Sequence, residues 1–280
     1  MTIKLIVIDM DDTFLRPDKT YDEEKAEYVF HQLAERDTVI AIASGNYTPL
    51  LESYFDEKIL QDIYLASDDG NILRNNEEVL RTLPLNREDA ENIYHYIDDI
   101  EGYYPIFSTG RNAYVKGPID DIVADEISVY FKDFELIENF DHIPSNKEIV
   151  KMEFYCEHPL EDIKKLMKEI EEKNPGVTAV TSGEEWLDIY HENGGKGEAV
   201  KFLQDRYRTS KEETMCFGDS LNDRTMMKEA DYSVAMENAD DDLKEHCRFE
   251  IGTSEDQAVL DLLEQLINEE NLDFLEKYQR

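Results

Sequence analysis

The segment Ile3-Lys4-Leu5-Ile6-Val7-Ile8-Asp9-Met10-Asp11-Asp12-Thr13 decides the fold. Residues 3–8 form the β-branched run of a buried strand, and the run stops on acids. In an open parallel sheet, ligands bind beyond the carboxyl ends of the strands, so these acids stand where a site is expected. Asp9 and Asp11, at i and i+2 on an extended chain, point to the same side. Carboxylates placed so closely raise each other's pKa unless a cation lies between them. A polar turn leaving a buried strand, with Asp12 or Thr13 as a cap, accounts for the same residues equally well.

Outward from this segment, short apolar runs alternate with helical patterns, as in a parallel sheet flanked by helices. Ala26, Val29, Phe30 and Leu33 recur at helical spacing across residues 22–35. Strands follow at 39–43 and 63–66, and Pro49 suits a first helical turn. From about Arg87 the rhythm changes to helix 87–100, strands near 104–109 and 112–115, helix 119–131, and strands near 134–138 and 149–155. Helix 160–172 and strands 177–181 and 186–190 complete this stretch, with Asn174-Pro175-Gly176 as a stop signal. The first rhythm returns after Gly194, with helix 197–206, strand 214–217, helix 221–229, strand 232–235 and helix 255–268. The expectation is an α/β domain split into 1–83 and 191–280, carrying an inserted α+β domain at 84–190.

The composition narrows the function. With 29 basic and 66 acidic side chains the formal net charge is −37, so the chain lacks the basic stripe that nucleic-acid binding or membrane docking through basic residues requires. Length suggests roughly two domains, and 41% hydrophobic residues spread along the chain favour a globular fold over disorder. Cys156, Cys216 and Cys247 match neither a disulfide framework nor a CxxC metal site, which points to a reducing cytoplasm. The first apolar run is too short for a signal peptide. The six histidines form no metal-ligand pair.

Three further elements stand at strand ends. Ser44-Gly45-Asn46 follows the second strand and opens a helix. A hydroxyl, a glycine and free helix-terminal amides make a phosphate cradle, or equally an ordinary N-cap. Lys196, in Gly194-Gly195-Lys196-Gly197, opposes the dipole of the helix it begins, so either an anion compensates it or it is a solvated side chain. Gly218-Asp219-Ser220-Leu221-Asn222-Asp223 puts Asp219 at a strand tip and Asp223 one helical turn on, facing the same way. Their oxygens are hard ligands that suit Mg²⁺.

Taken together in this order, the four elements resemble the haloacid dehalogenase superfamily. The insertion between the second and third is similar to the large α/β cap of the Cof-type phosphatases. The sequences Asp9-Met10-Asp11-Asp12-Thr13-Phe14-Leu15, Ala43-Ser44-Gly45-Asn46 and Gly218-Asp219-Ser220 resemble the bacterial sugar phosphatases within that group. The resemblance implies a Rossmann-like parallel-sheet core with a cap, and Mg²⁺-dependent hydrolysis of a small phosphorylated metabolite, a sugar phosphate first and a nucleotide or cofactor phosphate (pyridoxal phosphate, flavin mononucleotide) as the alternative.

By the same resemblance, Asp9 is the nucleophile and Asp11 the general acid and base. Mg²⁺ is held by Asp9, the Asp11 carbonyl and Asp219, with Asp223 nearby. Met10 (through its amide), Ser44, Gly45, Lys196 and Asn222 hold the phosphoryl group. Four acids can meet a phosphate dianion only if Mg²⁺ and Lys196 offset their charge. Three positions depart from the common pattern: Asp12 replaces a glycine, Asp68-Asp69-Gly70 an Asn-Gly pair, and Glu237 a glycine. Trp186, Glu184 and Glu185, near the Thr181-Ser182-Gly183 turn, are candidate cap contacts, with a core role for Trp186 as the alternative. A phospho-aspartate receiver domain also uses Mg²⁺, a hydroxyl and a lysine. It carries its phosphorylated Asp after the third strand, where Ser67-Asp68-Asp69 stands here, but it is a small single domain without a counterpart of the 218–223 loop.

Overall fold

A computed structural model describes residues 2–181 and 185–280. Five strands precede the insertion: β1 (Leu5–Asp9), β2 (Val39–Ala43), β3 (Tyr64–Ser67), β4 (Ile72–Arg74) and β5 (Val79–Thr82). Six lie within it: β6 (Tyr103–Ser108), β7 (Ala113–Lys116), β8 (Phe134–Ile137), β9 (Lys151–Cys156), β10 (Val177–Thr181) and β11 (Trp186–His191). Three follow: β12 (Thr214–Gly218), β13 (Tyr232–Met236) and β14 (Phe249–Ile251). They make two sheets, ordered β14-β13-β12-β1-β2-β3-β4-β5 and β10-β11-β9-β6-β7-β8.

The first sheet is parallel from β14 to β3, with an antiparallel hairpin, β4 and β5, at one edge. All five residues of β1 are buried, as expected of a central strand covered by helices on both faces. The helix Glu23–Ala34 begins where the Asp22 carboxylate accepts the Lys25 amide (3.0 Å), and it buries Ala26, Val29, Phe30 and Leu33 against the sheet. Phe14, at the end of the acid turn, packs on Phe30 and Phe55 with ring centroids 5.7 and 5.9 Å away. The turn that carries Asp11 and Asp12 is thereby anchored to the core through an aromatic side chain.

The second sheet is antiparallel except for β7 with β8. Its central strands sort residues by period two. Met152, Phe154 and Cys156 of β9, with Leu187 and Ile189 of β11, join an apolar cluster with Ile93, Ile163 and Ile170 of the covering helices. Lys151, Glu153 and Tyr155 alternate with them, cross-strand from Tyr190, Asp188 and Trp186. One face of the cap sheet is thus a core and the other is polar and aromatic.

Some expectations from sequence shift. The hairpin β4–β5 and β14 were not foreseen, because strands of three or four residues carry little periodicity. The helix expected at 221–229 is a tight turn, Leu221–Asp223, followed by a short helix, Arg224–Met227. The polar tail 268–280 contains a turn, Asp273–Tyr278, that buries Leu275, and Gln279 bridges Phe249. No helix among the described residues is long and apolar enough to cross a membrane.

Gly197 is where the helix Lys196–Tyr207 meets the rest of the core, since a Cβ there would lie 2.7 Å from the Thr225 carbonyl oxygen. Gly197→Ala must push two backbone segments apart. The expected cost is about 1–3 kcal/mol in a chemical-denaturation experiment, and an unchanged midpoint would show that the contact is looser than this.

Candidate active site

The tips of β1, β2 and β12 converge with the start of the helix Lys196–Tyr207. Asp9, the last residue of β1, lies 2.5 Å from the Lys196 ammonium, which also reaches Asp223 at 2.7 Å. All three are buried. Lys196 is therefore no solvated side chain: Asp9 and Asp223 are the anions that compensate it. Asp223 is fully engaged, because its other oxygen accepts the backbone amides of Asp219 (3.0 Å) and Ser220 (3.2 Å). Thr13 donates to Asp219 (3.1 Å), tying the β1 turn to the β12 turn. The Asn238 amide donates to the Asp12 carbonyl (2.8 Å) and braces that turn from another side. Asp12 has φ +55°, which explains the glycine preference at this position and why aspartate, tolerant of left-handed backbone, can replace it.

Asp11 is held by two donors, Lys19 (2.7 Å) on one oxygen and the Asn46 side-chain amide (2.9 Å) on the other. Sequence reasoning missed Lys19, which stands eight residues downstream on a loop with no motif to mark it. It also counted only Mg²⁺ and Lys196 against the acids, whereas Lys19 and Lys151 both line the cavity as well.

That cavity, of about 290 Å³, is lined on its core side by Asp9, Asp11, Ser44, Gly45, Lys196, Asp219, Ser220 and Asn222. Met10 and Asp223 do not line it: the Met10 side chain is in the core. The opposite wall comes from the insertion and the β2 loop. Tyr47 packs on Phe131 and Tyr130 on Trp186, with centroids 4.9 and 5.0 Å apart, and Lys151 and Glu153 line the cavity with them. Trp186 is thus a cavity residue, while Glu185 is exposed and outside the lining. Glu184 lies outside the described residues. Alternation along β9 could have flagged Lys151 and Glu153, since a lysine and a glutamate interleaved with buried apolar residues on a central strand must face something polar.

Burial pushes Asp219 up to about 9 and Asp9 up to about 7; repulsion among Asp9, Asp219 and Asp223 adds to this, and Lys196 opposes it. Burial alone would lower Lys196, but Asp223 and Asp9 hold it well above the usual lysine value. Glu153 is also raised well above the usual range by burial. Carboxylate oxygens of Asp9, Asp219 and Asp223 lie within 4.8 Å of one another, so a divalent cation bound among them would relieve the repulsion that raises Asp9 and Asp219. An all-oxygen donor set of this kind fits a hard cation.

An inserted cap over strand-tip acids, a buried lysine and a hydroxyl-glycine loop defines a phosphoryl-transfer hydrolase of the haloacid dehalogenase type. The chain matches the haloacid dehalogenase-like hydrolase family over residues 6–263 and belongs to it. It is 27% identical, over 96% of its length and 98% of the other, to the 5-amino-6-(5-phospho-D-ribitylamino)uracil phosphatase YbjI of Escherichia coli K12. The crystal structure of SMU.1108c from Streptococcus mutans UA159 superposes with a TM-score of 0.89 at 26% identity, covering 96% of this chain and 100% of that one. The subclass IIB sugar phosphatase BT4131 shares the fold, with a TM-score of 0.77 at 19% identity over 94% and 98% of the two chains.

Metal-free protein should lose stability as pH rises. Asp9 and Asp219 keep their protons when folded up to about 7 and about 9, against 3.8 in the ordinary carboxylate. Between these values the folded state binds more protons than the unfolded one, so stability falls as pH increases through that window. In chelator, Tm is expected to drop by roughly 4 °C or more between about pH 5 and 8, and added Mg²⁺ should recover most of the loss at the upper end. A metal-free Tm that is flat over this range would contradict the charge account.

Proposed function

We propose that the protein is a Mg²⁺-dependent phosphomonoester hydrolase acting through an aspartyl-phosphate on a small phosphorylated metabolite, foremost a sugar or polyol phosphate. The core would comprise 1–83 and 191–280 and the cap 84–190, in a reducing cytoplasm compatible with three buried free cysteines. One observation carries the reading: a carboxylate, Asp9, held against Lys196 at the floor of a covered cavity, with a second carboxylate, Asp11, held by separate donors beside it.

In this reading an Asp9 carboxylate oxygen attacks phosphorus as the ester P–O bond breaks, and Asp11, in its protonated form, gives its proton to the departing alkoxide. Water then attacks the phosphorus of the acyl phosphate, the P–O bond to Asp9 breaks to release inorganic phosphate and restore the carboxylate, and Asp11 takes up the proton that this water releases. Lys196, the Ser44 hydroxyl, the Gly45 and Met10 amides and Asn222 would hold the phosphoryl oxygens through both steps. Mg²⁺, held by Asp9, the Asp11 carbonyl and Asp219, with Asp223 supporting, would supply charge neutralisation at those oxygens. Asp223, with one oxygen on Lys196 and the other on two amides, acts chiefly by orienting the lysine and the Asp219 turn.

The walls of the cavity favour a second substrate reading. Four aromatic side chains and Glu153 suit a planar ring that offers a hydrogen bond. The Escherichia coli relative is named for such a compound, a phosphorylated ribityl chain on a uracil. A polyol phosphate bearing a heterocycle satisfies the aromatic wall and the sugar-phosphatase likeness together.

Asp9→Asn should abolish turnover while the protein stays folded, and Asp11→Asn should be selective. Its rate on sugar phosphates, whose alkoxides need a proton, should fall about 100-fold or more, with a much smaller loss on p-nitrophenyl phosphate. Equal losses on the two substrates would exclude Asp11 as the acid. Across hexose, pentose, glycerol and ribitylamino-pyrimidine phosphates, nucleoside monophosphates, pyridoxal phosphate and flavin mononucleotide, kcat/KM should be highest among the sugar and polyol esters. A nucleoside monophosphate or pyridoxal phosphate preferred by more than about tenfold, roughly 1.4 kcal/mol, would overturn the substrate class and leave the reaction standing, whereas flavin mononucleotide, a ribityl phosphate on a heterocycle, would favour the second reading.

A further inference from the structure

Each carbonyl oxygen of Ser44-Gly45-Asn46, the loop that borders the acids, is taken by a separate donor. Ser44 O accepts the Asp69 amide (2.9 Å) and Asn46 O the Asp68 amide (2.9 Å), both from the core turn that follows β3. Gly45 O accepts the ammonium of Lys151 (2.6 Å), and Lys151 belongs to the cap sheet. The middle carbonyl of the loop therefore has a partner supplied by the other side of the cavity.

Lys151 is fixed where it stands. It is buried, and its ammonium lies 2.8 Å from Glu153 and 3.6 Å from Asp188 on its own sheet, and 3.1 Å from Asp69 on the core. Asp68 and Asp69 both hold positive φ, 52° and 57°, in a turn where the common family pattern has Asn-Gly. Strained, non-glycine backbone of this kind persists where its surroundings over-determine it. Here the two amides brace the loop, and the Asp69 carboxylate takes the cap lysine.

We propose that Lys151 is a positioning residue that makes the phosphate-binding loop competent only when the cap is closed, with Asp69 as its counter-ion on the core. The inference rests on the phosphatase reading and adds a coupling to it. With the cap closed, the Gly45 carbonyl is held by a cation, the peptide that joins Gly45 to Asn46 has one orientation, and the Asp69 charge beside the loop is neutralised. With the cap open, that carbonyl loses its donor, the peptide is held only through the Asn46 N–H bond to the Ser44 hydroxyl (3.0 Å), and Asp69 repels an incoming dianion. Phosphate affinity and cap closure then depend on each other.

Trp186 is the single tryptophan of the chain, and it lines the cavity between the cap and the core acids, so quencher access to it falls as the cap closes. The test compares wild type, Lys151→Met, Lys151→Arg, Asp69→Asn and the double variant Lys151→Met/Asp69→Asn. Inorganic phosphate affinity is measured calorimetrically in Mg²⁺, and acrylamide quenching of Trp186 is recorded with and without phosphate. Lys151→Met should weaken phosphate binding about tenfold or more and raise quenching, within the ordinary range for coupled sites. Lys151→Arg should recover part of both. Adding Asp69→Asn to Lys151→Met should recover part of the affinity, because the orphaned charge on the core side is gone although Glu153, Asp188 and the Gly45 carbonyl still lack the lysine, so the two losses must not add. Should Lys151→Met fail to fold, Asp69→Asn alone must still raise the quenching of Trp186 and alter phosphate affinity. Additive losses, or an Asp69→Asn variant equal to wild type in both readouts, would overturn the proposal. Both readouts remain measurable if the wild type hydrolyses no phosphate ester, an outcome that would remove the phosphatase reading instead.

Discussion

The Lys196 ammonium, buried between Asp9 and Asp223, is the contact on which the rest of the site depends. The fold draws the ends of β1 and β12 together, and each end brings acids. Without a cation among them the turns after these strands would repel each other in a medium that screens poorly. Removing one partner of such a buried pair typically costs about 3–5 kcal/mol, because the remaining charge is left uncompensated. Asp223 carries that constraint outward: its second oxygen gathers the amides of Asp219 and Ser220 and so sets where the Asp219 carboxylate points. Thr13 closes the circuit between the two turns.

The cap solves a different problem with the same economy of charge. Its sheet must bury one face on its own helices and present the other to the cavity, and period-two alternation along β9 and β11 does both. The presented face carries a lysine among carboxylates, flanked by aromatic rings. Rings contribute contact area with few rotatable bonds, and the charged groups give direction, which is how a cavity of this size selects a leaving group. Two lysines, Lys19 from the core and Lys151 from the cap, add positive charge to the cavity of a chain whose net charge is −37. The lining still holds more carboxylates than lysines, so a dianion enters such a cavity only when a divalent cation offsets the remaining acids.

The chemistry was legible in the sequence wherever it depended on a local rule. Acids that end an apolar run, Ser44-Gly45-Asn46 before a helix, and a lysine after paired glycines all mark strand ends and helix starts, and the fold brings strand ends together. Lys19 and Lys151 were not legible, because their partners, Asp11 and Asp69, lie on other segments. Lys151 could have been noticed as a charge on a buried strand, but not assigned to Gly45. The short helix after Asp223 was overread because the capping of Ser220 by Asp223 makes a tight turn before helical geometry begins. The departures Asp12 and Asp69 looked like local variation in sequence, yet both hold left-handed backbone, and Asp69 meets the cap.

The central claim is that the Asp9 carboxylate becomes phosphorylated. In the Asp11→Asn variant with Mg²⁺ and p-nitrophenyl phosphate, the first step should proceed while hydrolysis of the acyl phosphate slows. Borohydride quenching during turnover, followed by peptide mass spectrometry, would convert an aspartyl-phosphate to homoserine at its position. The account predicts homoserine at position 9 and at no other acid. Homoserine elsewhere, or an unmodified Asp9 in a preparation that is releasing p-nitrophenol, would contradict it.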